Sequence, residues 1–313
     1  MRRSLARTGV VAAAVLAWMS SASTARAQAW VSDVGDGTFA LSTQYTRVMK
    51  HLFSVDVGGL VDPTSGYLLG PGNQAYYGDI VTLSNTVSGE YVPLKNLAVS
   101  GDATYITSRY KGRSPESPLD DGYYHGDLQD MSFGARYMMR SHSLVCTPSV
   151  DVRVPLTGYN TLGHVGAGPG LTSVTLGLNS GRSLTPFAPM AYAFLNYGRV
   201  VVENVGSHSL DRNQWSAGVG TFLSRALSVQ THFQYVDTVD GEDWWWADAS
   251  HLQHRNVSAK TIYRRVGLSA GYTLTRHAGL ALSWESTISG ANVHATHSLT
   301  LGASWGFWKR RPL

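Results

Sequence analysis

The sequence predicts an all-β protein, a transmembrane antiparallel up-and-down β-barrel of about twelve strands. Three observations carry this. Apolar and small or polar residues alternate at a period of two along most of the chain. The connections between alternating runs switch between short and long. An export leader opens the chain, and no other apolar run is long enough for a membrane helix.

The leader comes first. Arg2, Arg3 and Arg7 precede an apolar run over residues 9–19, and small residues follow at Ala25, Ala27 and Ala29. This is the plan of a cleaved secretory signal peptide, assigned to residues 1–27, with residues 28–313 forming one outer-membrane barrel. Removing the leader changes the charge argument. The whole chain has 25 Lys+Arg and 21 Asp+Glu, but residues 1–27 hold four arginines and no acid. The mature chain balances 21 against 21, so nothing points to nucleic acid as a partner. The single cysteine, Cys146, excludes an internal disulfide framework and Cys-rich zinc sites, and reads as a small apolar strand residue.

The strand runs follow in order. "TFALSTQY" sets Phe39, Leu41 and Tyr45 against Ser42 and Gln44, and predicts a strand over 37–52. Residues 78–93 form a second, with both faces mixed. "LAVSGDATY" predicts 97–111, and "DMSFGARYMM", with Met131, Phe133, Ala135, Tyr137 and Met139 on one face, predicts 125–139. Further strands are predicted over 143–155, 171–182 and 186–202. "WSAGVGTFL" and "LSVQTHFQY" predict 211–223 and 227–238, the latter placing His232 opposite Phe233. The last three are 257–273, 280–288 and 293–307. The final one contains "HSLTLGASWGFW", where Leu299, Leu301, Ala303, Trp305 and Phe307 take every second place.

Short connections fall near 94–96, 140–142, 183–185, 224–226 and 274–279; long ones fall near 54–77, 112–124, 157–170, 203–210 and 239–256. Short turns at one end and long loops at the other mark a bacterial outer-membrane barrel. The strands are long enough to cross a tilted bilayer. The face opposite the apolar one is rich in Gly and Ser with scattered charge, as a lumen requires. Tyr45, Tyr105, Tyr137, Tyr197, Tyr235, Tyr272, Trp305 and Phe307 suit interfacial girdles. Closure is compulsory, because an open sheet edge in lipid leaves backbone groups unpaired.

The closing strand ends on aromatic residues, a pattern that resembles the signal read by the barrel-assembly machinery, although "KRRPL" follows Trp308 here. The stretches "GDLQDMSFGARYMM" and "PSVDVRVPLTGY", within residues 126–159, resemble the outer-membrane barrel transporter family of the phenol meta-pathway degradation type. That family is distantly like fatty-acid and hydrocarbon channels. The resemblance implies passage of small, hydrophobic or aromatic molecules across the Gram-negative outer membrane without energy coupling.

Candidate lumen residues are Asp102, Asp130, Arg136, Asp151, Arg153, His232, Arg265 and Glu285. Opposite charges on neighbouring strands are expected to meet across the ladder, Arg265 with Glu285 among them. Such groups either set solute preference or brace a narrow barrel. Trp244, Trp245 and Trp246, in a long outer loop, either stack an aromatic ligand or belong to an interfacial belt. The first long loop, Gly-rich and partly apolar, is a candidate inward constriction.

An enzyme is not expected. G-x-S-x-G occurs at Gly267–Gly271 and Gly302–Gly306, but inside expected strands and not at a strand-to-helix turn; no Walker or dinucleotide fingerprint stands in strand–helix context, and no cofactor or metal is expected. Asp120, Asp121, His125 and Asp127 at one outer-loop edge, and His251 and His254 in another loop, are the groups a barrel hydrolase would use. The second reading is a closed structural or surface-binding barrel acting through its outer loops; a hydrolase ranks third. The expected partners are outer-membrane lipid, the assembly machinery and a small-molecule substrate.

Overall fold

Alternation at a period of two places each strand's apolar set on one face, and the sheet closes with that face outward. The computed structural model describes residues 29–54, 72–75, 78–112, 117–161, 163–188, 190–241 and 259–307. The leader assigned to residues 1–27, the triplet Trp244–Trp246 and most of the first long loop lie outside them. The described chain is all-β, a closed barrel of 12 antiparallel strands.

The strands are β1 Gly37–Leu52, β2 Gln74–Ala75, β3 Gly78–Leu94, β4 Leu97–Gly112, β5 His125–Tyr137, β6 Met139–Ser141 and β7 Leu144–Pro155. They continue as β8 Ser173–Ser183, β9 Ala191–Val202, β10 Arg212–Phe222, β11 Leu227–Thr238, β12 Ile262–Thr273, β13 Ala278–Ala291 and β14 Val293–Phe307. β2 is a two-residue addition to β1, and β6 continues β5 past Met138, so neither adds a stave. Each stave pairs with its neighbours in sequence, and β14 pairs with β1 from Gly37↔Phe307 to Leu52↔Val293. This satisfies every edge, which a lipid environment requires.

The outward face carries Phe39, Val87, Phe133, Leu176, Leu195, Val219, Leu268, Leu282, Leu299 and Leu301, all large and exposed. Water would leave such a surface prone to association; hydrocarbon does not. Tyr45, Tyr105, Tyr137, Trp215, Tyr272, Trp305 and Phe307 are exposed on the same face. The inward face is small and hydroxylated. Neighbouring strands tie together there through Thr82–Ser108 at 3.0 Å, Thr86–Thr104 at 2.9 Å, Thr46–Ser298 at 2.9 Å and Asn196–Ser216 at 3.1 Å.

At the short-turn end, two-residue connections join β3 to β4 and β6 to β7; Asn96 and His142 take positive φ of 66° and 51° to make them. Some strand bounds move from expectation. β9 begins at Ala191 and not at 186, because the chain turns from Leu184 through Ala188, with Leu184 N–H donating to Ala191 O at 2.9 Å. β12 begins at Ile262, later than 257. The expected strand 125–139 is interrupted at Met138, whose N–H turns to Asn96 O, 2.8 Å away.

Candidate functional site

The lumen is built from the inward residues of the staves, and two chain segments fold into it. At the short-turn end, the segment leading into β1 lies inside the barrel. Ala29 is fully buried, and its carbonyl accepts from Thr147 Oγ1 on β7. Trp30 packs edge-on against Tyr192 of β9, with ring centroids 5.8 Å apart, and covers Phe194. Gly181 of β8 makes room for this indole, since a Cβ there would overlap its six-membered ring. Val31 N–H points to Met138 Sδ at 3.4 Å. Gly35 N–H and Val92 N–H then exchange bonds with Val92 O and Asp36 O, at 2.8 and 2.9 Å.

At the long-loop end, residues 156–172 fold inward over the lumen. Val165 joins Val48, Ile80 and Tyr110 in a buried cluster, with Leu119 against it. His164 stacks on Tyr110 at 4.0 Å with planes 7° apart. Its Nδ1 lies 2.9 Å from Asp120 Oδ2, and both side chains are almost wholly buried. The same carboxylate accepts from His164 N–H at 3.1 Å. His51 of β1 meets the edge of His164, and His294 of β14 meets His51, with centroids 5.6 and 4.4 Å apart. Tyr159 O–H donates to Asp130, and its oxygen accepts from Gly170 N–H at 2.9 Å. Burial and then the Asp130 carboxylate push the Tyr159 phenol well above the ordinary tyrosine range. The first long loop, where the sequence places a candidate constriction, lies mostly outside the described residues; residues 156–161 and 163–172 form an inward constriction. Glycines at 163, 166, 168 and 170 let this loop turn tightly inside a narrow barrel.

A cavity of about 500 Å³ lies inside the barrel beneath this loop. Its walls carry Val48, Ile80 and Ile106 from β1, β3 and β4, and Arg212, Arg265 and Glu285 from β10, β12 and β13.

The sequence-selected lumen residues find partners other than those expected. Arg265 and Glu285 do not pair. A bulge between Arg264 and Arg265 sets Arg265 opposite Thr287, to whose Oγ1 its Nε donates at 3.3 Å. Its guanidinium also lies 4.4 Å from the Tyr263 ring centre. Glu285 sits opposite Gly267, which sits opposite His232. With no side chain at 267, the His232 ring reaches across one stave, and its Nε2 comes 3.1 Å from Glu285 Oε1. Arg136 bridges to Glu90 of β3 at 2.6 Å, a residue the sequence reading did not single out. Asp102 accepts from Ser132 Oγ, and Asp130 from Tyr159. Asp151 lies over Gly134, within electrostatic reach of Asp102, Arg136 and Arg153, but in no ion pair among the described residues. Charge pairing between adjacent strands therefore gives way to pairing across an intervening stave, over Gly267 for His232–Glu285 and over Ala98 and Ser100 for Arg136–Glu90, which only a three-dimensional register reveals.

The four hydrolase candidates at the outer-loop edge do not converge; His251 and His254 lie outside the described residues. Asp120 is buried with His164. Asp121 lies exposed, 2.9 Å from His125 Nε2, and that contact holds its carboxyl below the usual range. Asp127 accepts from Thr157 Oγ1 at 3.2 Å. Among the described residues no group of three or more His, Cys, Asp or Glu is arranged to hold a metal ion.

No family model and no curated protein matches the chain. Solved structures do. The COG4313 outer membrane channel from Pseudomonas putida F1 is similar at a TM-score of 0.66 and 10% identity, over 91% of this chain and 100% of that one. The NanC porin gives 0.49 and 6%, over 85% and 98%. The TodX deltaS2S3 mutant monoaromatic hydrocarbon channel gives 0.43 and 9%, over 89% and 91%. At these identities the likeness shows the outer-membrane barrel fold alone.

Proposed function

We propose that the chain is an outer-membrane channel that admits small, largely apolar molecules to its lumen and passes them without energy coupling. The observation that carries this reading is the cavity of about 500 Å³ inside the barrel, its walls mixing aliphatic and hydroxyl side chains with a few charged ones, under the inward-folded loop. Such a volume suits a single small organic molecule far better than a bulk aqueous pore. The fold shared with the COG4313 outer membrane channel supports the same reading. Export by the cleaved leader and insertion by an assembly machinery that reads the aromatic end of β14 belong to this proposal.

Single-channel recording of the refolded mature chain in a planar bilayer tests it, alongside uptake of a small aromatic alcohol into proteoliposomes. The expected result is small conductance steps and uptake faster than in protein-free vesicles. A silent bilayer together with no excess uptake, from protein shown folded by heat-dependent gel migration, would leave the closed surface-binding barrel as the better reading. The same outcome combined with lipid or peptide turnover abolished by His125→Ala would favour a hydrolase.

A further inference from the structure

Arg212 begins β10 and faces the lumen, where it lines the cavity. Its Nε is shut off from solvent and meets no acceptor, and among the described residues no carboxylate lies in ion-pair range of its guanidinium. The nearest carboxylate in sequence is engaged elsewhere: Asp211 bridges to Arg199 Nη2 at 2.8 Å and accepts from Val202 N–H at 3.0 Å. Two more cations stand near. Arg153 is close enough to repel Arg212 electrostatically, and Arg265 lines the same cavity with its charge over Tyr263. Among the described residues the one acid lining the cavity, Glu285, is bonded to His232. A guanidinium half withdrawn from water, with its Nε shut off and no anion beside it, is costly, and a second cation nearby adds to the cost. Barrels otherwise arrange such groups in pairs, as Arg136 with Glu90 shows here.

The position of Arg212 in the ring adds the second half of the argument. Counting staves around the closed barrel, β10 lies diametrically across from β3. Ile80 of β3, flanked by Val48 and Ile106, is therefore the wall that Arg212 faces across the cavity. One side carries Arg212 and Arg265; the other carries Val48, Ile80 and Ile106 interspersed with uncharged hydroxyl side chains, and the inward loop roofs both.

We propose that this cavity is a binding site for a small amphipathic organic anion, a carboxylate on a compact apolar body, with Arg212 as its counter-ion. The carboxylate accepts from the Arg212 fork, and Arg265 adds favourable field. The apolar body lies against Ile80 and its neighbours. The site rests on the reading of the lumen as a solute path, and gives that path a substrate class.

The test is calorimetric titration of the full mature chain in a non-ionic detergent with sodium benzoate, benzamide and sodium chloride. Benzamide matches benzoate in shape and lacks the charge. Benzoate is expected to saturate and to bind about tenfold or more tightly than benzamide, because a charge-assisted fork to a buried guanidinium is lost in the amide. Arg212→Gln is expected to erase that preference, Arg212→Lys to keep part of it, and Arg140→Gln, an equal charge loss on the exposed β6, to leave it intact. Heat-dependent gel migration checks that each variant is folded. Equal affinity for benzoate and benzamide, displacement of benzoate by chloride at equal concentration, or an unchanged preference in Arg212→Gln would each overturn the site. Bilayer recordings separate the two ideas. Conductance without benzoate preference removes the site and keeps the channel; benzoate preference with a silent bilayer keeps the site and removes the channel.

Discussion

The Asp120–His164 contact and the Tyr159–Asp130 hydrogen bond decide whether residues 156–172 stay inside the barrel. Asp120 sits among apolar neighbours and meets both a ring nitrogen and a backbone N–H of His164. Asp120→Ala leaves both donors buried without an acceptor. It is expected to destabilise the docked loop by about 1–3 kcal/mol, the usual cost of orphaning a buried polar group. Limited proteolysis in residues 156–172, faster than in the parent chain, is the readout; unchanged cleavage would show that the contact does not hold the loop. Tyr159 adds a pH dependence. Its phenol is raised by burial and by the Asp130 carboxylate, so the folded chain favours the neutral form. That contribution is fully present below the ordinary tyrosine value of 10.0 and is lost as pH rises from there through the raised value. An absorbance titration should show a late-appearing phenolate component, and Tyr159→Phe should reduce it by one tyrosine.

At the scale of the element, a stave has two faces with opposite requirements. Leu301 and Thr300 are adjacent on β14, one exposed on the apolar face and the other inward, opposite Gln44 and bonded to it at 3.1 Å. Leu301→Arg is expected to cost about 2–4 kcal/mol in a bilayer, the penalty for a cation near the midplane of the lipid face. Thr300→Ser, which keeps the hydroxyl, is expected to be nearly neutral. Urea-induced unfolding in lipid vesicles measures both, and equal effects would mean that the faces are reversed. Most staves were legible in the sequence because alternation at a period of two is a local signal. Leu299, Leu301, Ala303, Trp305 and Phe307 declare one face without reference to any neighbour. The misplaced start of β9 has a local cause too. Both faces of the run expected over 186–202 look mixed, and Pro186 lacks the N–H that a ladder needs there.

At the scale of the molecule, the barrel is narrowed from both ends by chain that belongs to no stave. Trp30 is the largest obstruction at the short-turn end, seated on Gly181 between Tyr192 and Phe194. Trp30→Ala removes the ring without touching the wall. The expected outcome is a larger unit conductance in planar bilayers, with heat-dependent gel migration unchanged. A conductance equal to the parent's would place the limiting constriction at residues 156–172. Neither inward segment was read from the sequence. The partners of Ala29 and Trp30 lie more than a hundred residues away, and nothing in the residues 29–36 marks them for the interior. The candidate lumen residues fared differently: their types were visible as polar breaks in an apolar alternation, whereas their partners were not.

The amino-acid order alone determines the wall: its all-β class, its closure, a stave number of about twelve and which face meets apolar surroundings. Each of these follows from a period of two, from connection lengths and from ladders between sequence neighbours. The interior was decided only by the tertiary structure. His232 meets Glu285 because Gly267 stands between them, Arg136 meets Glu90 and not Asp151, and Arg212 is left with no acid across from it. Inside a closed barrel, side chains from staves distant in sequence share one small volume. Which of them touch depends on register, bulges and glycine gaps acting together, and none of these is carried by any single stretch of chain.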